Sequence, residues 1–482
     1  MYSEGQTMSA CWRYGMLFCN CFTVFGVYYF MEIPTALQSE LTNSHNTYIG
    51  SKNTGNQTDC KVCLGLGEVR YNLLFSVTRW TSFGVCLPSG FVIDRLGNGR
   101  SAIFFSSLVL IGSVLFAVGA TSHPPVTTPM YILMVTGYGS LAFGDASLRF
   151  VQARVVSHCF PEVTLIAMAF CTFGCVGQGI SLFTTPAIAT AIGLHPAVWL
   201  GPVSCGLGVL CAVGLALLLH IHPPVVAEDN GNKKILTMNV LRRLPVSYWV
   251  FLPSIGFTSV CWIVKQANLP YYLELRHGYS MREASRVTGI APVISLLCPL
   301  VCLILNKVDC DGIIYTFFHI WMISFFALLG FCPSVNIIFI SLADGIGMGM
   351  MTALQWQVIV ILCPALYLGT LSGVTFMARN SITALTFIAA GYILQRGHVT
   401  SVDETLRHYQ HFFLMIIVLM STGAIFGVVM NIVDIRKGGA LNSRIRKWQQ
   451  SNIEAIGLVS MEEPSKYCGN SDAKESNDYS MN

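Results

Sequence analysis

Apolar stretches close to or above the ~18–20 residues that a helix needs to cross a hydrocarbon core recur all along this 482-residue chain. They fall at about 14–33, 71–93, 101–121, 130–156, 163–187, 196–220, 246–271, 284–306, 312–332, 335–361, 367–394 and 410–434, which predicts twelve spans. A polar stretch from Val226 to Leu244 divides them six and six. The expected architecture is an all-α integral membrane protein of twelve transmembrane helices in two six-helix halves. Residues 1–13 form a cytosolic N-terminus, 14–220 and 246–435 the two bundles, 221–245 a cytosolic linker and 436–482 a polar cytosolic tail. Composition agrees: only 11% of residues are charged and 53% are hydrophobic, where a soluble domain carries about 25% charged residues. Lipid has to cover that apolar excess. A net charge of +4 argues against nucleic acid as a partner. The 18 cysteines, many in apolar runs like Cys205, Cys211 and Cys298, do not read as a disulfide-stapled secreted scaffold.

Orientation follows from where Lys and Arg fall in short loops. With a cytosolic N-terminus, the inner face holds Arg13, Arg95, Arg100, Lys233, Lys234, Arg242, Arg243, Lys307 and Arg436. The opposite face holds Lys52, Lys61, Arg70, Arg276, Arg282, Arg396 and Arg407. The sequon Asn56-Gln57-Thr58 then lies in the first outer loop, where Asn56 is a glycosylation candidate. Cys60 and Cys63 share that loop. A metal site would need two more ligands, and the loop offers only His45, so a loop-clipping disulfide and a free pair are the readings left.

Ionisable side chains deep in a span cost at least ~2.5–3.5 kcal/mol each, so they need a partner or a wet cavity. Asp145, Arg149 and Gln152 share one face of the fourth span by their i, i+4, i+7 spacing. Arg79 on the second span and Glu32 at the end of the first can join them. In the second half Asp344 and Gln355 of the tenth span are expected to meet Arg379 and Asn380 of the eleventh, with Lys265 towards the outer end of the seventh. Together they suggest a polar midplane cavity whose mixed charges receive the carboxylate and ammonium of a small zwitterion. The bland alternative is a set of self-satisfied ion pairs holding helices together. His319, within an apolar run, reads as a packed neutral histidine. Each carboxylate has a candidate cationic neighbour, an arrangement suited to facilitated diffusion rather than proton coupling. No Ser-His-Asp set, metalloprotease motif or Walker sequence is present, so neither an enzyme nor a cofactor or metal is expected.

Between the second and third spans stands Gly90-Phe-Val-Ile-Asp94-Arg95-Leu-Gly97-Asn-Gly99-Arg100. This matches G-x-x-x-D-R-x-G-x-x-R, and the chain thereby resembles the major facilitator superfamily. The resemblance implies that Gly90, Asp94, Arg95 and Arg100 form a cytosolic latch that breaks as the halves rock. Gly90 would allow close helix approach, and Asp94 would face the helix N-terminus near Leu366. Tyr28 through Gln38, Tyr71 through Val77, Ser147-Leu148 with Gln152, Leu368-Gly369-Thr370 and Gly438 through Asn442 are similar to the lysosomal dipeptide transporter branch. That branch implies a lysosomal dipeptide uniporter partnered by a glycosylated lysosomal membrane protein. The chain departs from it at Cys175, where a basic residue is expected, and at Ala146, where an acidic one is, with Asp145 beside it. A free amino-acid carrier and a non-transporting receptor of the same fold are the competing readings.

Overall fold

The computed structural model describes residues 10–43, 64–86, 88–121, 126–159, 176–221, 244–297, 310–332, 334–363, 368–395, 401–436 and 441–442. Asn56, Cys60, Cys63, Cys175, Leu366, most of the 221–245 linker and nearly all of the tail lie outside them, as does the side chain of Asp94. The first span is broken into α1 (Ala10–Phe22), α2 (Phe25–Met31), α3 (Ile33–Ala36) and α4 (Gln38–Thr42). Pro34 opens α3, where its missing N–H costs nothing, and Glu32 sits at the break. Next come α5 (Gly67–Val85), α6 (Pro88–Leu96), α7 (Asn98–Ala120), α8 (Thr128–Cys159), α9 (Val176–Ile192) and α10 (Leu194–Ile221). After the linker follow α11 (Val246–His277), α12 (Met281–Ser295), α13 (Asp311–Phe331), α14 (Ile337–Leu362), α15 (Leu368–Leu394) and α16 (Val402–Arg436).

Several boundaries differ from the sequence expectation for local reasons. The expected outer loop from 34 begins with two further helical pieces, α3 and α4. The seventh span runs on to His277 until Gly278, at φ 66°, ends it in the left-handed conformation. The stretch 395–409, expected as a loop, already contains the start of α16, whose first turn carries Asp403 and Glu404 against the helix dipole. α12 opens with a capping box in which Ser280 accepts from the Glu283 amide and the Glu283 carboxylate accepts from the Ser280 amide. Those hydrogen bonds hold the exposed Glu283 carboxyl below its usual range. Their support is present above the unfolded carboxyl's pKa and is lost as pH falls through the depressed folded value.

Among the described residues, seven helical segments are long and apolar enough to cross a bilayer, and α9 is apolar but shorter. The twelve expected spans are therefore not all marked by apolarity. The long helices α5, α8 and α15 fall short because they carry Glu68, Arg70 and Arg79, then Asp145, Arg149 and Arg154, then Arg379 and Asn380. Elsewhere the outward faces are hydrocarbon-like: α10 exposes Val203, Leu207, Leu210 and Leu217, and α16 exposes Leu414, Val418 and Ile425. Lipid is the medium in which such stripes are stable.

The helices before the linker pack together, α7 against α8 and α10, α5 against α8, and α2 against α9 and α10. Those after it do likewise, α11 against α15 and α16, α13 against α14 and α16, and α12 against α14. The two groups meet where α5 packs on α15, α9 on α12, and α3 and α4 on α11. Backbones approach closely between α2 and α10, at Gly26, and between α7 and α8. A Cβ on Gly112 would lie 2.5 Å from the Gly137 carbonyl oxygen, and one on Gly137 would lie 2.6 Å from that of Gly112. Gly97 turns the chain from α6 into α7 at φ 77° and ψ 166°, a region open essentially to glycine alone. At Gly90 a Cβ would meet nothing within 4 Å among the described residues.

These glycines make separable predictions for thermal unfolding of the purified protein. Gly137→Val should lower stability by about 1–3 kcal/mol through overpacking, and Gly97→Ala by about 1–3 kcal/mol through backbone strain. Gly90→Ala should leave the melting midpoint unchanged. An unchanged midpoint for Gly137→Val would contradict the close α7–α8 approach.

Candidate functional site

Three arginines converge midway along their helices. On α8, Nε and Nη2 of Arg149 donate to the same Asp145 oxygen at 3.2 and 2.9 Å. The Arg149 guanidinium also lies 5.0 Å from the Tyr28 ring centroid on α2. Asp145 is buried, yet the Arg149 side chain remains 43% exposed. Arg79 on α5 stands within electrostatic reach of Arg149, Asp145, Tyr138 and Glu32. Arg379 on α15 faces Arg149, Arg79, Cys86 and Tyr28, with its guanidinium 4.5 Å from the Phe376 ring centroid. Among the described residues the Nε atoms of Arg79 and Arg379 have no hydrogen-bond partner, and neither has one carboxylate oxygen each of Glu32 and Asp145. Cations from both groups of helices thus gather in one place, where Arg149 remains partly exposed.

A closed layer lies directly beyond this cluster, at the end remote from the Gly90–Arg100 turn. Asn72 and Asn268 exchange amide hydrogen bonds of 3.2 and 2.9 Å. Tyr71 donates to the Ala267 carbonyl at 2.7 Å, and Ser76 to that of Ala384 at 2.9 Å. Ser285 donates to the Ala36 carbonyl at 3.0 Å, Ser39 to the Glu274 carboxylate at 3.1 Å, and the Tyr271 amide to Gln38 at 3.1 Å. Phe75 stacks on Phe387 with centroids 5.3 Å apart. Every one of these contacts joins a residue before the linker to one after it. One turn past Ser76 is Arg79, so the arginines lie directly beside this inter-bundle layer.

The sequence profile of the Major Facilitator Superfamily matches residues 14–387. The chain belongs to that superfamily. It is similar to the lysosomal dipeptide transporter MFSD1 of Bos taurus, 22% identical over 462 residues, with 92% of this chain and 90% of that protein covered. It is equally 22% identical to the Homo sapiens protein of the same name over 463 residues, with 90% and 89% covered. Among solved structures it resembles a bacterial homologue of the human drug peptide transporters PepT1 and PepT2, with a TM-score of 0.60, 13% identity and 88% and 99% of the two chains covered. It also resembles the peptide transporter POT, at TM-score 0.61, 11% identity and 89% and 96% coverage. The fold is that of a multi-pass transporter of the major facilitator superfamily.

Within this superfamily fold the remaining candidate residues are distributed unevenly. Gln152 is tied to α1: its side chain donates to the Asn20 carbonyl at 2.7 Å, and Asn20 donates to the Gln152 carbonyl at 3.2 Å. Arg95 and Arg100 of the superfamily motif are exposed on either side of the Gly97 turn. Gln355 accepts from Ser259 at 3.3 Å, and the Oδ1 atom of Asn380 has no hydrogen-bond partner. Asp344 requires a correction. It does not meet Arg379; it pairs with Lys265 of α11, both fully enclosed and lined by Phe325, Phe326 and Ser341. Lys265 extends past Phe326, 5.6 Å from the ring centroid. Depth along the seventh span alone had suggested an outer position for Lys265, whereas packing of α11 against α13 and α14 decides its partner. His319 is packed as expected, with Nδ1–H donating to the Tyr315 carbonyl at 2.9 Å and Nε2 lying 2.6 Å from the Thr258 hydroxyl. The Asn72–Asn268 layer escaped sequence reasoning, since single amides within spans carry no distinctive pattern.

Removing one member of the Lys265–Asp344 pair leaves a buried charge uncompensated. Asp344→Asn should therefore cost about 3–5 kcal/mol of stability, while the double change Lys265→Met with Asp344→Leu should recover most of it. Melting curves of the three proteins decide this. A single variant as stable as the unaltered protein would show that the pair is not formed.

Proposed function

We propose that this chain is an alternating-access carrier of small zwitterionic solutes, and that its solutes are dipeptides. It works as a uniporter, releasing them from the lysosome to the cytosol. The observation that carries this reading is the position of Arg149: partly solvated, contacting Asp145, and grouped with Arg79 and Arg379 from opposite bundles beneath a sealed layer. Such a volume offers guanidiniums to a carboxylate and Asp145 and Glu32 to an ammonium. Among the described residues the inter-bundle hydrogen bonds lie on one side, the arrangement expected of a carrier stopped in a one-sided state.

The names of its relatives, lysosomal dipeptide transporters at 22% identity over nine-tenths of the chain, support the choice of dipeptides and of the lysosomal membrane. Uniport is supported by the occupation of two intramembrane carboxylates, Asp145 by Arg149 and Asp344 by Lys265. Neither has to take a proton for the solute to pass. The two-bundle division at residues 221–245, the latch at Asp94, Arg95 and Arg100, and an accessory glycoprotein belong to the same proposal.

Uptake of labelled Ala-Ala into proteoliposomes tests it. Uptake should saturate, should be inhibited by other dipeptides but not by free alanine, and should be insensitive to an imposed pH gradient. Arg149→Ala should reduce it by about 10-fold or more, the loss of one charge-assisted contact, with the elution profile and membrane insertion retained. Arg149→Lys should retain part of it. Unaltered uptake by Arg149→Ala would remove that residue from the pathway, and inhibition by alanine equal to that by dipeptides would favour the free amino-acid carrier.

A further inference from the structure

We infer that the central site selects solutes of net negative charge, and that among dipeptides it takes those with an acidic side chain in preference to neutral ones and neutral in preference to basic ones. For the identity of the transported solute this rests on the dipeptide reading; for the sign of the charge it does not.

The reason is an imbalance that no side chain among the described residues corrects. Three guanidiniums face the volume, those of Arg79, Arg149 and Arg379, and the carboxylates in the same neighbourhood are those of Glu32 and Asp145. Asp145 is committed to Arg149 through two hydrogen bonds. Glu32 faces Arg79 from the break between α2 and α3, with Thr35 also within hydrogen-bond reach. Among the described residues no carboxylate pairs with Arg379, and the groups that bear most on it are two arginines, Cys86 and Tyr28. The carboxylate expected opposite it, Asp344, is taken by Lys265 inside the C-terminal bundle. Arg379 keeps only the Phe376 ring face, and its Nε donor is unsatisfied although enclosed, as is that of Arg79.

Two unsatisfied guanidinium donors, one from each bundle, with like charges opposed across a partly solvated gap, describe a receptor for an anion. A carboxylate between Arg79 and Arg379 would satisfy both donors and replace a repulsion by two charge-assisted hydrogen bonds. A zwitterionic dipeptide delivers one carboxylate there and directs its ammonium to the open oxygens of Asp145 or Glu32. It leaves the site with its excess positive charge. An aspartyl or glutamyl side chain removes that excess, whereas a lysyl side chain adds a further cation to a group of three.

The full-length protein, purified in detergent and in proteoliposomes, decides the matter with four probes: Glu-Ala, Ala-Ala, Lys-Ala and the simple dicarboxylate glutarate. Competition against labelled Ala-Ala should show Glu-Ala binding about 10-fold or more tighter than Lys-Ala, with Ala-Ala between them. Glutarate should raise the melting midpoint and the diamine putrescine should not. Arg379→Gln should compress the Glu-Ala to Lys-Ala ratio to within about 3-fold, and Arg379→Lys should preserve the preference. Lys-Ala binding as tightly as Glu-Ala, or an unchanged ratio in Arg379→Gln, would overturn the inference. Should glutarate stabilise the protein while no dipeptide is carried, anion selection stands and the dipeptide reading falls. Should dipeptides be carried with no ordering by charge, the reverse holds.

Discussion

A charge placed in hydrocarbon needs either an ionic partner or water, and the interior of this protein is organised by which of the two each charge receives. The insertion cost of about 2.5–3.5 kcal/mol per group makes either solution compulsory. Lys265 and Asp344 take the first: they pair inside the C-terminal bundle, walled by Phe325 and Phe326. Arg79, Arg149 and Arg379 take the second. They gather where the bundles face each other, and Arg149 keeps a large exposed fraction there. One arrangement holds helices together and the other keeps a volume open for a solute.

The polar layer next to that volume has a different character from either. It is made of neutral amides and hydroxyls, Asn72 with Asn268, Tyr71 and Ser76 on carbonyls, backed by the Phe75–Phe387 stack. A neutral hydrogen bond contributes only about 0.5–1.5 kcal/mol net because water can replace it. Such contacts can seal one side and still be exchanged for water when the bundles rock, which a buried ion pair could not do cheaply. Close-packed backbones such as Gly112 against Gly137 lie within one bundle and give it the rigidity to move as a body. Selectivity and motion are thereby assigned to separate sets of residues.

How much of this was legible beforehand depended on how local each signal is. The positions of most helices follow from apolar runs, because a span-length run has few other uses. Gly97 was legible through its motif, and its positive φ supplies the reason for the glycine. The Asp145–Arg149 pair followed from i, i+4 spacing on one helix, and the 2.9 Å contact accords with it. Arg379 stood out as a charge in a span, but its expected partner was wrong: such a charge announces that it needs company without saying whose. Gln152 was placed on the right face, yet its side chain is spent on the backbone of Asn20. Gly90 matched its motif, and among the described residues nothing packs within 4 Å of a Cβ placed there. The ends of α11 and α16 were misplaced because helices continue beyond the apolar core when caps and first-turn acids favour them.

The chain's amino acids by themselves determined that it is an all-helical membrane protein of the major facilitator type and that a handful of charges sit deep within it. Hydrophobic run length and helical spacing are properties of consecutive residues, so they can be read in one dimension. Only the tertiary structure decided which of those charges meet. It sent Asp344 to Lys265 and left Arg379 among other arginines, because partners on different helices are chosen by how the helices cross and rotate. Those angles are set by the packing of every side chain at the interface together, and no short stretch of sequence records them.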